Sequence, residues 1–191
     1  MKADEVGIEL DGAQINEVID ELKRLEHEGY HFEAADASLE LLMRRAACQV
    51  PEFFRVESMR VITDELPGGE FSTEATVKVW VGDGDDAERR VWVAEGNGPV
   101  NAIDTALRKA VGTMLPELSD IHLTDYKVRI LDGSSATGST TRVLLSATDG
   151  ERDWTTIGVS PNIIEASWRA LEDSLVYGLL HHRLRDGAAD D

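Results

Sequence analysis

Hydrophobic residues recur at helical spacing in residues 13–28. Those at positions i, i+3, i+4, i+7 and i+10 are Ile15, Val18, Ile19, Leu22 and Leu25. This spacing predicts an amphipathic helix, and Gly29 is suited to stop it. A second helix is predicted next, and its apolar face carries Phe32, Ala35, Leu39 and Leu42. Because proline cannot continue a helix, Pro51 marks the end of the helical pattern, and we place a boundary near residues 48–51.

After Pro51 the pattern changes to β-branched and alternating apolar positions, which are typical of strands. Three strands are predicted over residues 53–63, 72–81 and 89–95. Pro99 then opens a helix, because proline is favoured at the first helical position. The apolar face of this helix carries Ile103, Leu107, Ala110, Val111 and Met114.

The same order of elements follows a second time. Strands are predicted over residues 124–131, 140–147 and 152–157, with a turn at residues 132–135 between the first two. A helix is predicted to begin at Pro161, with Ser160 as its N-cap. Its apolar face carries Ile164, Trp168, Leu171, Leu175 and Leu179. The segment from His181 to Asp191 is polar and is expected to fray.

The two halves share residues at one constant offset. Trp92, Gly96, Gly98 and Pro99 reappear 62 positions later as Trp154, Gly158, Ser160 and Pro161. A repeat at a fixed offset indicates two copies of one structural unit. We therefore predict an α+β fold with internally duplicated βββα units. Residues 1–49 are a helical linker subdomain, 50–185 one duplicated domain (repeats at about 53–118 and 121–180), and 186–191 a polar tail.

Composition narrows the choice of partners and compartment. The 191 residues carry a net charge of −18, which opposes binding to phosphate backbones and to anionic membrane surfaces. We expect no nucleic acid and no membrane partner. Cys48 is the one cysteine, so a disulfide framework is excluded and a reducing cytoplasmic location is expected. No apolar run approaches the roughly 20 residues that span a bilayer, and the N-terminal residues do not resemble a signal peptide.

A literal H-E-x-x-H sequence occupies residues 27–31. This zinc motif works when two histidines share one face of a helix. Because Gly29 is expected to end the helix, His27 and His31 would not share a face. His181 and His182 are interpreted as solvated charges near a helix end. We therefore predict no metal, no cofactor and no catalytic residue.

The turns at residues 96–99 and 158–161 are the strongest candidates for a ligand site. Each is predicted between a strand and a helix N-terminus, where unpaired N–H groups and the helix dipole favour an anion such as a carboxylate. Glycine allows close approach of the backbone to a ligand. The alternative interpretation is that both turns serve the fold alone, since a duplicated fold also duplicates its structural turns.

Residues 95–104 (EGNGPVNAID) and 158–168 (GVSPNIIEASW) resemble the C-terminal regulatory (dimerisation) domain of the 2-isopropylmalate synthase and citramalate synthase family. Residues 21–45, including the run EGYHFEAA at 28–35, are similar to the helical linker that precedes that domain. The sequence SPNII at residues 160–164 is closer to the citramalate branch.

This resemblance implies a homodimer of βββα units that mediates feedback inhibition by a branched-chain amino acid. The effector is isoleucine in the citramalate branch and leucine in the isopropylmalate branch. The parent enzymes also carry a TIM barrel with a divalent metal held by carboxylate and an H-x-H pair. No H-x-H occurs here, and the barrel-like DGAQ at residues 11–14 precedes an amphipathic helix. Catalysis by this chain alone is therefore not implied, and a catalytic barrel domain or subunit is an expected partner.

An amino-acid effector needs an anion site, a cation site and an apolar pocket. The turns offer N–H donors, while Asp104, Asp125 and Glu165 are candidates for the ammonium group. The complete set of candidate effector-binding residues is Gly96, Asn97, Gly98, Pro99, Val100, Ala102, Asp104, Asp125, Tyr126, Gly158, Val159, Ser160, Pro161, Asn162, Ile163 and Ile164.

Three other classes of protein remain as alternatives. The first is a dimerisation scaffold without an effector, and the second is a zinc hydrolase built on His27 and His31. The third is an ACT-like amino-acid sensor. Its βαββαβ order disagrees with three strands before each predicted helix.

Overall fold

A computed structural model describes residues 7–82, 84–131 and 138–189. The predicted turn at 132–135, the extreme N-terminus and residues 190–191 of the predicted tail lie outside these ranges. Contacts divide the chain into two compact units. The first-repeat unit comprises residues 52–119, and the second-repeat unit comprises residues up to 51 together with those from 120 onward.

The first-repeat unit is a three-stranded antiparallel sheet covered by one helix. Its elements are β1 (Phe54–Glu65), β2 (Phe71–Val81), β3 (Glu88–Gly96) and α3 (Pro99–Val111), and the strand order is β1-β2-β3. Alternate residues of β2, from Thr73 to Val81, are buried because a strand presents every second side chain to the same face. The helix buries Ile103 and Leu107 against that face.

The second-repeat unit repeats this arrangement. Its sheet contains β4 (His122–Ile130), β5 (Thr141–Thr148) and β6 (Asp153–Ser160) in the order β4-β5-β6, followed by α4 (Ile163–Ala189). The helix covers one sheet face with Leu171, Leu175 and Leu179, all nearly inaccessible to solvent. Two three-stranded antiparallel sheets, each followed by a helix, confirm the predicted α+β fold of duplicated βββα units.

The N-terminal elements pack on the opposite face of the second sheet. They are α1 (Gly12–Glu28), a 3₁₀ turn (Phe32–Ala34) and α2 (Asp36–Ala46). Phe32 and Ala35 form one apolar cluster with Ile157 and Val159 of β6. The strand β6 is thus covered on both faces by helical segments of its own unit, whereas every residue of β4 is exposed. The division of residues 1–49 as a separate helical subdomain stays a prediction.

Polar contacts reinforce this packing between α2 and α4. Glu40 accepts hydrogen bonds from Arg44 (2.7 Å) and from the Tyr177 hydroxyl (3.1 Å). His181 Nε2 lies 3.0 Å from the same carboxylate, and the guanidinium of Arg152 contacts His181 Nδ1. Because an arginine N–H can only donate, Nδ1 is the acceptor and Nε2–H donates to Glu40. The carboxylate of Glu40 therefore ties α2 to α4.

Four local predictions about helix limits are wrong. Met114 lies beyond α3, which ends at Val111. The last helix begins at Ile163 rather than at Pro161. Phe32 belongs to a short 3₁₀ turn, because the following helix starts only at Asp36. The polar segment after His181 continues α4 to Ala189 instead of fraying, because its polar side chains find partners such as the Arg185–Glu151 ion pair at 2.7 Å.

Candidate functional site

The turn of the first repeat leaves the N-terminus of α3 open. Gly98 is the N-cap and makes no side-chain capping hydrogen bond, and Pro99 occupies the first helical position as predicted. The turn is held by the Asn101 side chain, whose Oδ1 accepts from Asn97 N–H at 3.2 Å. The Gly98 carbonyl accepts the first helical bond, from Ala102 N–H at 2.9 Å. Since a helix supplies no partner for its first N–H groups, those of Val100 and Asn101 are available to an anion.

The turn of the second repeat is capped by its own side chains. Asn162 Oδ1 accepts from Ile164 N–H at 2.9 Å, so Asn162 is the N-cap. The prediction that Ser160 caps this helix is therefore wrong. Ser160 Oγ accepts from Asn162 N–H at 3.0 Å and donates to the Glu165 carboxylate at 2.7 Å. A carboxylate already lies beside this helix N-terminus, which disfavours a second anion there.

The repeated glycines at 96 and 158 have a packing role. A Cβ on Gly158 would collide with the carbonyl oxygen of Ala166 in α4, and a Cβ on Gly96 would lie 2.5 Å from Ala102 N in α3. Gly98 differs, because a Cβ there would meet nothing within 4 Å and its φ of 175° is extended backbone. The fold thus requires Gly96 and Gly158, but it does not require Gly98.

Each acidic candidate for the ammonium group already has a cationic neighbour. Asp104 pairs with Arg108 at 2.7 Å, and Glu165 pairs with Arg169 at 2.6 Å. Asp125 forms an ion pair with Lys127. Burial raises the pKa of Asp104 although Arg108 acts in the opposite direction. An ammonium group next to Asp104 would therefore relieve a partly uncompensated buried charge.

The apolar candidates divide into buried and accessible residues. Ala102 and Val159 are buried, the latter against Phe32, so neither presents surface to a ligand in this structure. Val100 and Ile164 are half-buried, and Ile163 is 45% exposed. Pro161 is also exposed. These accessible side chains are the ones that could contact a branched aliphatic group.

Two polar contacts near the candidate residues were not anticipated from the sequence. Tyr126 OH lies 2.7 Å from Ser167 Oγ and joins β4 to α4. Asn101 closes the first turn, as described above. The sequence signal that could have identified this contact is an asparagine four residues after Asn97 in a predicted strand-to-helix turn. Tyr126 itself is 42% exposed, at an edge strand of the second sheet.

The geometry of residues 27–31 agrees with the expectation that Gly29 separates the two histidines. Gly29 is the C-cap of α1, with a left-handed φ of 106°, and His31 follows in extended backbone. His27 and His31 therefore do not share a helix face. Among the described residues, no group of three or more metal-binding side chains is placed to hold an ion. Nor does any helix described here have the length and apolarity needed to cross a bilayer.

The fold and its paired strand-to-helix turns define a duplicated βββα domain. Residues 33–179 match the family model described as the LeuA allosteric (dimerisation) domain. The chain belongs to this family, as the sequence resemblance implied.

Several curated relatives are similar over almost the whole chain. It is 51% identical to an (R)-citramalate synthase of Streptomyces coelicolor and 46% identical to one of Aquifex aeolicus, over 94% of this chain in each case. A 2-isopropylmalate synthase of Thermus thermophilus is 34% identical over 64% of this chain. The chain spans about a third of the length of these relatives, with coverages of 34%, 34% and 32%.

Proposed function

We propose that this chain is an allosteric regulatory domain that binds a branched-chain amino acid, isoleucine before leucine. The observation that carries the proposal is the 51% identity to an (R)-citramalate synthase over 94% of the chain. The family implies an effector of this class, and the citramalate branch implies isoleucine. The open N-terminus of α3 gives such a ligand a place for its carboxylate.

We propose that the regulated activity is that of a citramalate or 2-isopropylmalate synthase, an acetyl-CoA-dependent acyltransferase of isoleucine or leucine biosynthesis. The described residues form two antiparallel sheets and contain no TIM barrel. The catalytic partner is therefore a barrel domain or subunit outside these residues. This chain alone is expected to show no acyl transfer and to need no cofactor.

In the proposed binding mode the effector lies along one face of α3. Its carboxylate accepts from the N–H groups of Val100 and Asn101, and its side chain contacts Val100. Asp104 is four residues beyond Val100 and so lies on the same helix face, where it can accept the ammonium group. Its pairing with Arg108 at 2.7 Å holds the carboxylate in place. Gly98 leaves open space at the turn, which permits close approach.

A thermal-shift comparison tests the effector proposal. Isoleucine at one hundred times its dissociation constant should stabilise the folded domain by about 2.7 kcal/mol, and leucine should require a higher concentration. If millimolar isoleucine, leucine and valine all leave the melting temperature unchanged, the alternative interpretation as a dimerisation scaffold without an effector is correct.

We further propose that the chain forms a homodimer. Edge strands carry exposed apolar side chains in both units: Trp92 is 45% and Val93 48% exposed on β3, and Ile130 is 60% exposed on β4. Exposed apolar edges favour association. Light scattering should give about twice the chain mass of 21.0 kDa. A monodisperse monomer at micromolar concentration would contradict the proposal.

A further inference from the structure

A half-open cavity of about 380 Å³ lies within the second-repeat unit. It is bounded by α1, the 3₁₀ turn, α2, β6 and α4. One wall is apolar and is formed by Leu25, Tyr30, Phe32 and Leu42. The volume is in the range of pockets that bind small molecules. A smaller recess shares Leu42 with it and continues along α1.

The opposite wall is charged, and most of its charges are paired within the protein. Asp173 accepts hydrogen bonds from Ser38 Oγ at 3.0 Å and from Arg45 at 2.8 Å. Arg169 donates to the Val159 carbonyl at 2.8 Å and pairs with Glu165. Glu21, on α1, is held by Arg24.

Glu172 is the exception on this wall. In the part of the chain that the structure describes, no lysine, arginine or histidine side chain forms an ion pair with its carboxylate, which receives a hydrogen bond from Trp168. Burial and the adjacent Asp173 raise the pKa of Glu172, although Arg45 acts weakly in the opposite direction. The Glu172 carboxylate is partly buried beside that of Asp173, and such a carboxylate is stabilised by a cation that enters the cavity.

We propose that this cavity is a binding site for a small organic cation, namely a primary ammonium that carries a branched apolar body. The ammonium group pairs with Glu172 and approaches Asp173. The apolar body packs against Leu25, Phe32 and Leu42. Arg45 and Arg169 are occupied by Asp173 and Glu165, so the site offers less to an anion. The site is separate from the α3 turn and goes beyond the proposed effector function.

Binding to this site should depend on pH in a defined direction. The ionisable side chains facing the cavity are Glu21 from α1, Tyr30 before α2, Arg45 from α2, and Arg169, Glu172 and Asp173 from α4. Burial raises the pKa of Glu172, whereas a hydrogen bond to Arg24 lowers the pKa of Glu21. Because the ammonium binds ionised Glu172, its affinity should rise as the pH increases through the raised pKa of that carboxyl group.

Calorimetric titration with isoamylamine tests the proposal, and isoamyl alcohol serves as the neutral probe of the same shape. We expect saturable binding of the amine, with affinity reduced at least about tenfold in Glu172→Gln. Leu42→Trp fills the cavity without a change of charge and should have the same effect. Glu26→Gln, an exposed acid on α1 outside the cavity, should bind the amine normally. Circular dichroism establishes that each variant is folded.

Equal affinity of the amine for Glu172→Gln and for the unmodified protein would overturn the proposal. So would equal affinity for the amine and the alcohol, or no binding of the amine at millimolar concentration. A parallel titration with isoleucine separates this site from the effector proposal. Binding of isoleucine without binding of the amine would refute the cavity site alone, and the reverse result would refute the effector proposal alone.

Discussion

The two repeats share a strand order and a glycine but differ at the start of their helices. Gly96 and Gly158 both allow a helix to approach its sheet closely. In the first repeat, Gly98 leaves the N-terminus of α3 without a side-chain cap. In the second, Asn162 caps α4. The shared glycines therefore serve the fold, and the ligand site that we propose lies at the turn where the two repeats differ.

The repeats also differ in how their sheets are covered. Within its own unit, the first sheet has the 13-residue helix α3 on one face. The second sheet has the 27-residue helix α4 on one face and the N-terminal helices on the other. We interpret the second repeat as the attachment site of the N-terminal helices.

The largest expected effect is the loss of stability when the shared glycines are replaced by alanine. Gly158→Ala should lower the free energy of unfolding by about 3 kcal/mol, at the upper end of the range for overpacking. The new Cβ would meet backbone atoms of Ala166 and Ala170, which cannot shift unless the helix α4 moves with them. Gly96→Ala should cost less, about 2 kcal/mol, since part of its contact is with the Asn101 side chain. Urea unfolding measures both. Gly12→Ala, where a Cβ would meet nothing within 4 Å, is the control and should not destabilise.

The next largest effect is the pH dependence of stability that arises from Glu40, whose carboxylate ties α2 to α4. Burial alone would raise the pKa of Glu40, but hydrogen bonds from His181 and Arg44 outweigh it and lower the pKa to about 2. The pKa of a glutamate in the unfolded chain is about 4.3. Ionised Glu40 therefore stabilises the folded state fully above that pH, and this contribution is lost as the pH falls from about 4 to about 2. The free energy of unfolding should fall by about 2 kcal/mol across this window, and Glu40→Gln should remove that contribution.

An exposed carboxylate in the first repeat provides the control. A hydrogen bond from Arg89 lowers the pKa of Glu57 to about 2 as well, but this pair lies at the surface, with side chains 36% and 41% exposed. Its contribution should therefore be small and should vanish in high salt. If Glu57→Gln and Glu40→Gln alter the acid unfolding profile equally, the claim that the buried Glu40 contributes more to stability than the exposed Glu57 is wrong.

The smallest effects exchange the caps between the repeats. Asn162→Ala should destabilise the domain by about 1 kcal/mol, because it removes the acceptor for Ile164 N–H. Gly98→Asn should stabilise it by a few tenths of a kcal/mol, roughly the usual gain for a polar cap over glycine. Thermal melting measures both. A stabilisation by Asn162→Ala would contradict the assignment of the cap.

Sequence patterns predicted the strands because alternation and β-branched residues dominate locally. The predicted strand at residues 72–81 corresponds to Phe71–Val81 in the structure. The start of α4 was misplaced because Ser160, Pro161 and Asn162 are all compatible with a helix beginning, and only the hydrogen bond to Ile164 N–H decides between them. The glycine repeat was interpreted as a ligand feature as well as a fold feature. Helix-to-sheet distances were needed to assign Gly96 and Gly158 to packing.

Contacts between distant parts of the chain could not be predicted at all. Glu40 and His181 are 141 residues apart, and Ser38 and Asp173 are 135 apart. Neither pair has a local sequence pattern, because each depends on how the N-terminal helices lie on β6 and α4. The same is true of the cavity that contains Glu172.

The central claim is that the open turn of the first repeat binds the carboxylate of an amino-acid effector. Isothermal titration of isoleucine into the unmodified protein and into Gly98→Val tests it most directly. A branched side chain at this turn obstructs a ligand, while a Cβ at this position meets no atom within 4 Å outside the two neighbouring residues. We predict saturable binding to the unmodified protein and affinity at least about tenfold lower in a Gly98→Val variant that folds normally. Equal isoleucine affinity for the two proteins would contradict the account.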